Sequence, residues 1–110
     1  MPTRESIITS MQEAADRMGL DLEDLQEMID DVLEDCSSKS VLLKEAISNQ
    51  NAVEVKSIAH DIKGSTANYG LQQISDLAYR LEKGNESPSM ADIDEIIALL
   101  THISGLGVNG

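Results

Sequence analysis

The stretch Ser57-Ile58-Ala59-His60-Asp61-Ile62-Lys63-Gly64-Ser65-Thr66-Ala67-Asn68-Tyr69-Gly70 decides how this chain is read. With Ala52 and Val55 upstream, Ala59 and Ile62 recur at helical spacing and mark a buried stripe, assisted by Ile58 and Thr66. Lys56, His60, Lys63, Gly64 and Ala67 fall on a separate stripe of the same helix. One imidazole is therefore displayed, a cation three residues on shares its face, and small residues keep its surroundings open. Gly70 ends the helix, which begins after Asn51.

Outward from that segment, sparse punctuation at Gly19, Asn51, Gly70, Gly84 to Pro88 and the tail from Gly105 leaves helix-length pieces. About Glu5 to Met18 is a short amphipathic helix with Ile7, Ile8, Met11, Ala15 and Met18 inward, capped by Gly19. Asp21 is placed to start the next helix, with Asp24 in its first turn. Leu22, Leu25, Ile29, Val32, Cys36, Leu43 and Ile47, with Ser40 keeping register, predict one long helix over about 22–48. The Cys36-Ser37-Ser38-Lys39-Ser40 run is its weak point, and a break there into two helices is the alternative. A fourth helix runs from about Leu71 to Lys83 with Leu71, Ile74, Leu77, Ala78 and Leu81 inward. A fifth, from about Ser89 to Ile103, carries Ile93, Ile96, Ile97, Leu99, Leu100 and Ile103, and Ser89 with Asp92 reads as its capping pair. The fold expected is all-α: an antiparallel four-helix bundle over residues 21–104, an additional short N-terminal helix within 1–20 packed on it, and a flexible tail at 105–110.

Composition narrows the class. At 110 residues the chain is one domain with a modest core. It has no Phe or Trp, and its only aromatics are Tyr69 and Tyr79, a poorer supply than a β-sandwich draws on. A net charge of −12 argues against nucleic acid and anionic membrane as partners. The single Cys36 excludes an internal disulfide and fits a cytoplasmic setting. Two histidines without a Cys/His cluster exclude a zinc site of ordinary spacing. Charge is uneven: residues 1–51 hold four Lys/Arg against twelve Asp/Glu and residues 71–110 two against six, whereas 52–70 balance Lys56 and Lys63 against Glu54 and Asp61. His60 thus sits in the least acidic part of an acidic protein.

Between the inward Ala59 and Ile62, His60 is expected at the surface. An exposed imidazole is largely neutral near pH 7 and acts as a nitrogen nucleophile. Lys63 can balance charge on a phosphoryl group held there, and Lys56 can assist. Gly64 inside a helix costs about 1 kcal/mol relative to alanine. Its place four residues after His60 is read as relief of crowding around the imidazole, opening it to a partner. No catalytic triad, phosphate-binding glycine loop or nucleotide pocket accompanies it. The site accepts and passes a group without autonomous kinase activity. His102 reads as a residue near the last helix's C-terminus, Cys36 as a small buried apolar residue, and the methionines as core filler.

Ala59-His60-Asp61-Ile62-Lys63-Gly64-Ser65-Thr66-Ala67-Asn68-Tyr69-Gly70, with Leu81-Glu82 in the next helix, resembles the signature of histidine-containing phosphotransfer (HPt) domains of two-component phosphorelays. The resemblance covers about residues 21–103. It implies that His60 is the phosphorylated histidine, a phosphoprotein site served by response-regulator receiver domains or a hybrid sensor histidine kinase. Lys63 and Gly64 match the accompanying Lys-Gly, and Gly70 the helix-ending glycine. Ile62 stands for the usual leucine, Thr66 for a usual alanine, and Val32 where phenylalanine is frequent. No cofactor is implied beyond the Mg²⁺ of the partner receiver.

If the second and third helices form a hairpin turning near Asn51, residues 37–41 stand level with His60 to Gly64. Ser37, Ser38, Ser40 and Val41 would then flank the histidine, and with Ala67 and Asn68 form a docking rim. A monomer is expected. Two rival readings remain: the substrate-histidine domain of a chemotaxis-type kinase, with the Gly105–Gly110 tail as a linker remnant, and a non-catalytic helical interaction module.

Overall fold

The computed structural model describes residues 1–84 and 90–110. Among these it is all-helical: α1 Arg4–Met18, α2 Leu22–Ser48, α3 Ala52–Asn68, α4 Gln72–Lys83 and α5 Met90–Ser104. The boundaries follow local chemistry. Thr3 caps α1 by accepting from the Ser6 N–H while the Ser6 hydroxyl accepts from the Thr3 N–H. Gly19 ends α1 at φ +71°, a left-handed conformation that glycine adopts without steric cost. The Asp24 carboxylate accepts from the Asp21 N–H at the start of α2, and the Asn51 side chain accepts from the Glu54 N–H at the start of α3. The expected Ser89 cap of α5 lies outside the described residues.

α2 runs unbroken for 27 residues through the serine cluster. Ser40, fully buried, donates its hydroxyl to the Cys36 carbonyl at 2.8 Å, so its polar atom is satisfied within its own helix. This removes the alternative of two helices. It also removes Ser40 from the surface, where a place beside the histidine was expected.

α3 packs most closely on α4. α2 packs on α3 and α5, α4 on α5, and α1 lies against α2. The shared core comprises Ile29, Leu33, Leu43, Ile62, Ile74, Leu81, Ile93, Ile96 and Leu100, with Met11 inserted from α1. Several inward assignments are corrected. Leu33 and Ala46 are core residues that the stripe assigned to α2 omitted, whereas Ala52 is exposed in the first turn of α3. Met18 is exposed just before the turn at Gly19, and Met11 alone of the described methionines is buried, Met1, Met28 and Met90 being exposed. Cys36 is buried as expected, and its thiol is pushed up to about 11, first by burial and second by the charge of Asp35.

The tail at 105–110 is also corrected. Val108 is 2% exposed, and its carbonyl accepts from Gln26 Nε2 at 3.2 Å. Arg4 Nε donates to the Gly107 carbonyl at 3.2 Å and Asn109 Nδ2 to Asp30 at 2.9 Å. Gly107, at φ +71°, turns the chain so that Leu106 and Val108 both reach apolar cover. The opposite terminus is tied nearby: His102 Nε2 donates to the Pro2 carbonyl at 2.7 Å.

The α3–α4 turn depends on Gly70. It sits at φ +73°, its N–H bonds the Ala67 carbonyl, and the Leu71 N–H bonds the Thr66 carbonyl at 2.9 Å. A Cβ here would run into the backbone carbonyl of Ser10 in α1. Gly70→Ala therefore combines a left-handed backbone with a backbone collision and is expected to lower unfolding free energy by about 2–4 kcal/mol in denaturant titration. Gln50, at φ +55° before α3, is the contrasting case. Gln50→Gly is expected to raise stability by about 0.5–1 kcal/mol, since relief of the left-handed strain exceeds glycine's entropy cost. Cys36 should resist alkylation in the native protein at pH 8 and react fully in denaturant; native labelling at the unfolded rate would contradict its burial.

Candidate functional site

Burial of Ala59 and Ile62 in α3 turns His60 outward, with 64% of its side chain exposed. The ring is nonetheless held. Its Nδ1 lies 2.9 Å from Glu82 Oε1, and Lys63 Nζ lies 2.8 Å from Glu82 Oε2. Glu82 comes from the last turn of α4, directly after the buried Leu81, so the packing of that leucine delivers the carboxylate to the edge of α3. Oε2 is shielded from solvent and has no aligned hydrogen-bond donor, so the ammonium charge of Lys63 is its partner. Lys63 first, and His60 second, hold the Glu82 carboxyl below its ordinary 4.5. An ionised carboxylate only accepts, which places the imidazole proton on Nδ1 and leaves Nε2 of the neutral ring with its lone pair free.

Lys63 has a second neighbour, the Tyr79 ring, whose centroid is 5.5 Å from Nζ. Lys83 Nζ lies 5.8 Å from the same centroid. Beneath the site, Thr66 donates to the Ile62 carbonyl at 2.7 Å, and Ser75 of α4 donates to the Lys63 carbonyl at 3.3 Å. Thr66, fully buried where an alanine was the family expectation, thus brings its hydroxyl without an unsatisfied polar group.

Gly64 is exposed, and a Cβ built on it would meet nothing within 4 Å. The expectation that a side chain there crowds the imidazole is therefore corrected for a methyl group, which would meet open space within this chain. Lys56 is exposed one turn before His60 and makes no ion pair among the described residues. Ser37, Ser38 and Val41 are exposed on α2, and Asn68 is exposed and Ala67 half-buried on α3. Between the two serines and Ser40, Lys39 pairs with Asp35 at 2.9 Å. That contact, with lesser help from the charge of Asp61, raises its pKa against the opposing effect of burial.

Sequence reasoning assigned no role to Glu82 or Tyr79. Glu82 had a signal, as the second member of Leu81-Glu82, but its reach to both His60 and Lys63 depends on how α4 folds back. Tyr79 offered none beyond being one of two aromatics.

A family model for the Hpt domain matches residues 4–105. The chain belongs to the Hpt domain family, whose members serve histidine phosphotransfer in phosphorelays with receiver domains and kinases. The match takes in α1, beyond the 21–103 covered by the resemblance. No curated protein and no solved structure matches the chain. Among the described residues no helix is long and apolar enough to cross a membrane, and no group of His, Cys, Asp and Glu could hold a metal ion.

The lowered pKa of Glu82 fixes the sign of a pH effect. Stability from its ionised contacts is fully present above the ordinary 4.5 and is lost as pH falls through the lower folded-state value. Glu82→Gln should therefore be less stable than wild type at pH 7, and the gap should close as pH falls through the lowered folded-state value. Equal unfolding midpoints at pH 7 would show that the pairing contributes nothing to stability.

Proposed function

We propose that His60 Nε2 is the phosphoryl acceptor of a phosphorelay intermediate, charged by a receiver-domain aspartyl phosphate and discharged onto another receiver. The observation that carries this is the contact of Glu82 with Nδ1, which leaves Nε2 as the exposed nucleophile of the neutral ring. The Nε2 lone pair attacks phosphorus, the phosphorus–oxygen bond to the aspartate breaks, and its electron pair returns to that carboxylate. The ring gains positive charge while keeping its Nδ1 proton, and the Glu82 carboxylate 2.9 Å away offsets that charge. Lys63 supplies a cation beside the new phosphoryl group. Return transfer reverses these steps, with the neutral imidazole as leaving group.

The domain brings no cofactor in this reading; Mg²⁺ belongs to the receiver, whose oxygen ligands and phosphoryl group suit it. It acts as a cytoplasmic monomer. Its frame is an antiparallel four-helix bundle. The charge of Asp31 contributes to the raised pKa of Tyr69, after burial, and that of Asp61 to the raised pKa of Lys39. The reach of these charges, from Asp31 to Tyr69 just past α3 and from Asp61 to Lys39, fits helices α2 and α3 that run antiparallel. This supports a reading in which Ser37, Ser38 and Val41 flank the histidine as a docking rim, with Ala67 and Asn68 beyond it.

Transfer from a receiver domain charged with acetyl phosphate and Mg²⁺ tests the reading. Wild type should acquire acid-labile, alkali-stable label, and His60→Gln none while remaining folded. Glu82→Gln should be slower by about tenfold, because the ring's developing positive charge then lacks its carboxylate. Label from ATP and a kinase domain alone would identify a substrate-histidine domain. Label on His60→Gln would remove the assignment.

A further inference from the structure

We propose that Tyr79 is a positioning residue for Lys63, acting as an uncharged tether that keeps the ammonium beside His60 while it exchanges Glu82 for the phosphoryl group. This rests on the phosphotransfer reading above. Before transfer, Lys63 Nζ is 2.8 Å from Glu82 Oε2 and its charge is largely neutralised there. To balance a phosphoryl group on Nε2, the ammonium must leave that oxygen. A lysine on a four-carbon stem that leaves its carboxylate partner regains many rotamers, and most point into solvent.

The Tyr79 ring limits that freedom. Its centroid lies 5.5 Å from Nζ, within the range in which an aromatic face attracts a cation. Tyr79 stands one turn before Lys83 on α4, three residues before Glu82, so ring and carboxylate approach Lys63 from the same helix. The ring carries no net charge and attracts the ammonium more weakly than a phosphoryl dianion does. It therefore confines the stem without competing for the charge, which a second carboxylate in its place would do. Half of Tyr79 is exposed, and its replacement leaves the core intact.

The experiment is a double-mutant cycle. Tyr79→Leu and Tyr79→Phe are made in the natural chain and in Lys63→Met, and label transfer from the acetyl-phosphate-charged receiver is timed after thermal melting has shown each protein folded. Tyr79→Leu should slow transfer by about two- to five-fold, ~0.4–1 kcal/mol at 1.36 kcal/mol per tenfold. Tyr79→Phe should match wild type, and Tyr79→Leu should add nothing in Lys63→Met. Proton NMR reads the contact without phosphate: the Lys63 ε-methylene resonance should be shifted upfield in wild type and Tyr79→Phe and return to its exposed-lysine position in Tyr79→Leu. An unchanged rate in Tyr79→Leu, an equal effect in Lys63→Met, a slow Tyr79→Phe or no ring shift in wild type would each overturn the role. Should wild type take label normally in those cases, only the role of Tyr79 falls; should wild type take no label, the phosphotransfer reading falls and this role with it.

Discussion

The turn from α3 into α4 at Gly70 is the constraint on which the histidine face depends. A left-handed residue lets Leu71 bond the Thr66 carbonyl and sends α4 back along α3, while the backbone of α1 closes over the glycine. The two helices then pack more closely than any other pair, and Leu81 fixes the last turn of α4 against the core. Glu82 follows that leucine and so arrives beside His60 and Lys63 at once. A change in the turn would move the carboxylate, although it lies far from the glycine in sequence.

Electrostatics give the arrangement its character. In a protein of net charge −12, a further carboxylate next to the nucleophile could repel an incoming phosphoryl group. Glu82 is instead committed on both oxygens, one to the imidazole and one to an ammonium. The three side chains form a local unit of neutral imidazole, carboxylate and ammonium, in which Nε2 of the ring has no hydrogen-bond partner among the described residues. Residues 52–70 themselves add no net charge to the repulsion.

Much of the fold was legible in the spacing of apolar residues. The predicted α2 and α3 agree with the structure to within two residues at each end, because Gly19, Asp21, Asn51 and Gly70 are strong local signals. The errors have local causes. Met18 and Ala52 sit at helix ends, where periodicity continues but cover runs out. Ser40 reads both as a member of the buried stripe of α2 and as surface beside the histidine; it is buried, because its hydroxyl bonds its own helix. The tail reads as flexible from its glycines, whereas Leu106 and Val108 tie it to the core. At the site, His60 and Lys63 were legible as one face of one helix, whereas the bareness of Gly64 was read as serving the imidazole when open space surrounds it.

By itself, the sequence determined which residues form each helix, which stripe of α3 is buried and that His60 lies opposite it, since these follow from a 3.6-residue period and local caps. Tertiary structure alone decided that Glu82 binds both His60 and Lys63, that Tyr79 offers its ring to the same ammonium and that the C-terminal residues close over α2. Those contacts join residues whose distance depends on helix packing and on a single glycine's backbone angle, and no pattern along one helix encodes them.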